Sequence, residues 1–77
     1  MEISFQTLEA NIVLIRLNGR LDAIGSPNLR TALETKLDQG YRKIIVDLEN
    51  VSFIDSSGLV ALVSGLRAAR EKKGDIF

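Results

Sequence analysis

The stretch Val51-Ser52-Phe53-Ile54-Asp55-Ser56-Ser57-Gly58-Leu59 holds the residues best suited to chemistry in this sequence. It follows a β-type apolar segment and precedes a helical pattern, the junction at which α/β proteins place their sites. Backbone N–H groups at a helix start have no intrahelical partner, and the helix dipole is positive there. An anion attached to Ser56 would use both. Gly58 has no Cβ and so permits close backbone approach. The same residues also suit a plain helix cap, because Asp, Ser and Gly are what any helix N-terminus takes. Asp22, after Gly19-Arg20-Leu21, reads by itself as a solvated loop carboxylate.

Several chemistries are excluded by residue type. The chain has no Cys and no His. Disulfides, thiol nucleophiles, thiolate or imidazole metal sites and a Ser-His-Asp triad are therefore absent. Neither G-x-S-x-G nor a Gly-rich turn ending in Gly-Lys-Ser/Thr occurs. A phosphorylated aspartate at Asp47 or Asp55 would want an acidic Mg²⁺ cluster and a nearby Lys, which the sequence does not clearly supply. A Ser-Lys pair or an all-carboxylate Mg²⁺ centre is the enzyme alternative left open. The expectation is a binding domain without catalytic residues, cofactor or metal.

Ten basic residues balance ten acidic ones among 77. Zero net charge gives no electrostatic reason to expect nucleic acid or an anionic membrane. Arg67, Arg70, Lys72 and Lys73 cluster late, where cations suit a helix C-terminus. No apolar run approaches the ~20 residues that cross a bilayer. The opening MEISFQTLEA lacks the pattern of a signal peptide, so a cytoplasmic place is expected.

The elements that must position the Asp55 region follow from apolar spacing. Residues 3–8 and the β-branched run 12–17 read as two strands joined by a turn at Glu9-Ala10-Asn11, close enough for an antiparallel hairpin. Asn18-Gly19 reads as the turn that ends the second, with a loop from Arg20 to Gly25. Ser26-Pro27 is a helix start, with Ser26 as cap and Pro27 at the first helical position. Leu29, Ala32, Leu33 and Leu37 make one apolar stripe, and Gly40 closes the helix. Residues 43–48 form a third strand, with Val46 and Leu48 expected to face the helices and Ile45 the other side. Glu49–Ile54 reads as a connecting segment. A second helix is expected from about Ser57 to Lys72, with Leu59, Leu62, Val63, Leu66 and Ala69 inward. Ile76-Phe77 begins a fourth strand.

The order β-β-α-β-α-(β) predicts an α/β fold with a mixed sheet. The first hairpin is antiparallel, the βαβα part parallel, and the helices pack mainly on one face. Asp22 and Asp55 should then emerge at one end of the sheet, with Ser56 accessible.

Ile15-Arg16-Leu17-Asn18-Gly19-Arg20-Leu21-Asp22, then Ile44–Leu48, then Val51–Leu59 with Asp55-Ser56-Ser57-Gly58, resembles the STAS domain, most of all the bacterial anti-sigma factor antagonists. The resemblance covers nearly the whole chain. It implies a partner switch. An anti-sigma factor that is itself a serine kinase phosphorylates Ser56, the unmodified domain binds that kinase, and a PP2C-type phosphatase restores the serine. It also implies that Asp22 and Asp55 flank the phosphosite and that Ser57 is the second hydroxyl position, with Gly58 completing the motif. A STAS module in another regulatory or stress-signalling complex, or accessory to a transporter, is the alternative. Family domains continue for roughly another strand-helix-strand-helix unit, so the resemblance implies a single domain, 1–77, with the C-terminal part of the fold missing. An exposed sheet edge would then associate with another copy, or leave the domain marginally stable.

Overall fold

The computed structural model describes residues 1–77. Six elements follow in order: β1 Glu2–Glu9, β2 Ile12–Leu21, α1 Ser26–Asp38, β3 Lys43–Ile54, α2 Ser56–Glu71 and β4 Asp75–Ile76. They form one four-stranded sheet in the order β1-β2-β3-β4. The β1–β2 hairpin is antiparallel. The β2–β3 and β3–β4 pairs are parallel, as the alternation of elements predicts.

The core lies on one face of that sheet. Val13, Ile15 and Leu17 of β2 and Ile44 of β3 are buried together with Leu29, Leu33 and Leu37 of α1 and Ala61 and Ala69 of α2. The alternate residues Ile12, Leu14 and Arg16 stay half-buried or exposed, so both helices cover the same side. Each fully buried Leu, Ile or Val contributes about 1.5–3 kcal/mol through removal from water. The stripe read on α1 is the one that is buried. Gly40, at φ +102°, takes the left-handed position that closes the helix.

Both central strands run further than their sequence suggests. Asn18-Gly19 does not end β2. The strand passes through Gly19 at φ +114° and stays paired to Leu21. Its partner β3 continues through Glu49 and Asn50 to Ile54. Successive pairs Arg16↔Asp47, Asn18↔Asn50, Gly19↔Val51 and Arg20↔Phe53 show that β3 carries an extra residue at two places. At the first, the Asp47 carboxylate accepts the Glu49 N–H at 2.9 Å and tightens the chain locally. Glycine at 19 tolerates the backbone bend such a mismatch demands. Alternation is lost there. Val46 packs on the core while Leu48, expected beside it, is exposed.

The inner face of α2 also differs from the expected stripe. Its buried residues are Gly58, Ala61, Gly65 and Ala69. Leu62 and Leu66 are half-buried, and Leu59 and Val63 point to solvent. The reason is proximity. A Cβ at Gly58 would lie 2.5 Å from the Leu21 carbonyl oxygen, and one at Gly65 would collide with the Leu33 Cδ1 methyl. Only the smallest side chains fit between α2 and its neighbours, so the bulky ones are turned outward.

Candidate functional site

Leu21↔Ile54 is the last pair of the parallel β2–β3 ladder. The residues that follow, Asp22 and Asp55, therefore leave the sheet side by side at its carboxyl end. The Asp55 N–H donates to the Leu21 carbonyl at 3.3 Å and locks the two exits together.

Asp55 is the N-cap of α2. Its extended backbone leaves the carboxylate free to accept the Gly58 N–H at 3.2 Å. Such a cap contributes about 1 kcal/mol. Ser56 becomes the first residue of the helix and is exposed, Ser57 is half-buried and Gly58 is buried against Leu21. The helix begins at Ser56, one residue before the expected start at about Ser57, because Asp55 supplies the cap. The Ser56 hydroxyl thus stands at the positive end of a sixteen-residue helix.

Asp22 is not the solvated loop carboxylate its isolated reading suggests. Its Oδ1 accepts the N–H groups of Ile24 and Gly25, each at 3.0 Å, and Oδ2 meets Arg20 Nε at 3.3 Å. The Gly25 N–H does most to hold its carboxyl below the usual aspartate value. The Ile24 N–H and Arg20 add to this, while partial burial works the other way. The Arg20 guanidinium in turn lies 4.2 Å from the centre of the Phe53 ring.

This turn also displaces Ser26 from its expected role. Asp22 starts the helix, with the Ser26 N–H donating to the Asp22 carbonyl at 2.8 Å. Gly25 takes the cap position without a side-chain bond. Ser26 falls inside the first turn and is buried, and Pro27 follows it as the second helical residue. A shallow groove between the two helix starts is lined by Ser26, Pro27 and Arg30 of α1 and by Ser56, Ser57 and Val60 of α2. Ser26 and Arg30 were not legible as site residues, since Ser26 reads as a cap and Arg30 as one exposed helix charge among several.

Asp47, the other acidic candidate, lies well down β3 and pairs with Arg16 at 3.6 Å, so it does not join Asp55. No group of three or more acidic side chains is assembled into a metal site, and no helix is long and apolar enough to cross a membrane.

The sequence model of the STAS domain matches residues 5–77, almost the full chain. This chain belongs to the STAS domain family. Among its relatives, the anti-sigma-B factor antagonist of Staphylococcus aureus is 35% identical over 63 residues, which is 82% of this chain and 58% of that protein. The anti-sigma factor antagonist SpoIIAA in its unphosphorylated form superposes with a TM-score of 0.81 at 29% identity, covering 97% of this chain and 69% of that one. The Bacillus cell fate determinant SpoIIAA in its phosphorylated form gives the same TM-score at 28% identity, covering 99% and 69%. The mixed sheet and two helices of this STAS domain are thus those of the antagonists. The chain spans a little over half the length of the Staphylococcus relative.

Proposed function

We propose that this STAS domain is a cytoplasmic anti-sigma factor antagonist whose partner binding is switched by phosphorylation of Ser56. The unmodified domain binds an anti-sigma factor that is also a serine kinase, the kinase modifies Ser56, and a PP2C-type phosphatase resets it. The domain itself binds and does not catalyse.

One observation carries this reading. Ser56 heads an exposed apolar stripe made of Leu59, Val60 and Val63, which are 57%, 55% and 57% exposed. The spacing i, i+3, i+4 and i+7 puts all four on one helix face. An apolar stripe left in solvent beside a modifiable hydroxyl is a surface for another protein. A phosphate would add about −1.5 to −2 charges at its head. The helix N-terminus can hold that charge without unfolding. Asp22 and Asp55 flank the position and make the field there more negative. A partner fitted to a neutral hydroxyl would then lose contact through repulsion and desolvation. A loss of about 3 kcal/mol weakens binding roughly a hundredfold. SpoIIAA has been solved in an unphosphorylated and in a phosphorylated form, which supports the same chemistry.

The test is incubation with the cognate kinase and ATP, mass-spectrometric mapping of the phosphate, and titration of both forms against the kinase. Phosphate on Ser56 and much weaker binding of the modified form are expected. Ser56→Ala should keep the fold and accept no label. Phosphate confined to Ser57, or equal binding of both forms, contradicts the proposal.

A further inference from the structure

Helix α1 brings two polar groups to the groove beside Ser56 that neither the core nor the apolar stripe uses. Ser26 is 4% exposed, yet its Oγ makes no hydrogen bond within the protein, and it is the one buried side-chain polar atom left so. Arg30, one turn further along α1, lines the same groove with Ser56 and Ser57. It is exposed and belongs to no ion pair. The nearby Asp22 is already engaged by Arg20 at 3.3 Å.

A cation outside any ion pair and a buried hydroxyl without a hydrogen bond thus belong to residues that line one groove with the serines, at a helix N-terminus. This is the donor set that phosphoryl oxygens take, and guanidinium matches them in geometry as well as charge. We infer that Arg30 is the positioning residue that holds a phosphoryl group on Ser56, with Ser26 donating to it from the groove floor. The inference rests on the reading of Ser56 as the phosphosite and deepens it. The added charge is held across the α1–α2 groove at the head of the apolar stripe, in a fixed place before an approaching partner, not left free on a solvated side chain.

The charged groups around that position are Arg30 from α1, Asp55 from the start of α2, and the Asp22–Arg20 pair from the β2 exit. The two carboxylates oppose the second ionisation of the phosphate and Arg30 favours it. Only the Arg30 contribution changes between the native and Arg30→Gln proteins.

The test uses the chain with phosphoserine genetically encoded at position 56, titrated by ³¹P NMR. The midpoint of the second ionisation should lie lower in the native protein than in Arg30→Gln, by roughly half a pH unit or more. Arg30→Lys should recover part of the difference, and Ser26→Ala should give up part of it. Equal midpoints in the native and Arg30→Gln proteins overturn the inference. Because the phosphate is installed without a kinase, this result is independent of whether a kinase modifies Ser56, which the mapping experiment decides separately.

Discussion

The carbonyl oxygen of Leu21 and the α-carbon of Gly58 face each other so closely that a β-carbon on Gly58 would lie 2.5 Å from that oxygen. The same carbonyl accepts the Asp55 N–H. The end of β2 therefore sets how near the start of α2 can come, and with it where Ser56 stands.

Gly58→Ala should destabilise the domain by about 1–3 kcal/mol, because its obstacle is backbone that cannot turn aside. Gly65→Ala should cost less, within about 1 kcal/mol of zero. Its obstacle is the terminal methyl of Leu33, and alanine gains helix propensity over glycine. Urea unfolding of the two variants checks the ranking. The reverse order would mean that α2 is seated more tightly at Gly65 than at its N-terminus.

The lowered pKa of Asp22 links stability to pH. Its ionised form is the one the Gly25 and Ile24 N–H groups and Arg20 hold. That stabilisation is fully present above the ordinary aspartate value of 3.8 and is lost as pH falls through the lower folded-state value. Asp22→Asn keeps an acceptor for the turn but cannot titrate. Its stability should fall less steeply over that acid range than the native protein's, as measured by chemical denaturation at successive pH values. Identical slopes would show that Asp22 carries no such linkage.

Val63→Glu should separate binding from folding. The residue is more than half exposed, so stability should change by no more than about 0.5 kcal/mol. A charge in the apolar stripe should weaken binding of the partner kinase at least about tenfold, or 1.4 kcal/mol. Calorimetric titration beside a thermal melt reads both quantities. Native affinity in the variant would remove Val63 from the interface.

Ser26→Ala in the unmodified chain should be neutral or stabilising, by up to about 1 kcal/mol, since it deletes a buried hydroxyl that makes no bond. Urea unfolding measures this directly. A clear loss of stability would show that the hydroxyl has a partner in the unmodified state.

Local patterns were enough for the order of elements, the antiparallel hairpin, the parallel pairing of β2 with β3 and the buried stripe of α1. Each depends on apolar periodicity or on connection length, which neighbouring residues carry by themselves. The Asp55-Ser56-Ser57-Gly58 start of α2 was legible for the same reason, since a cap is a local device. Tertiary structure alone decided which face of α2 is buried. Leu59 and Val63 are the more hydrophobic residues, but the space against Leu21 and Leu33 admits only Gly58, Ala61, Gly65 and Ala69. It alone carried β2 through Gly19, because the extra residues that relieve the mismatch lie on β3, far off in sequence. And it alone brought Ser26 and Arg30 beside Ser56, since the grooves between helices are made by packing and have no signature along the chain.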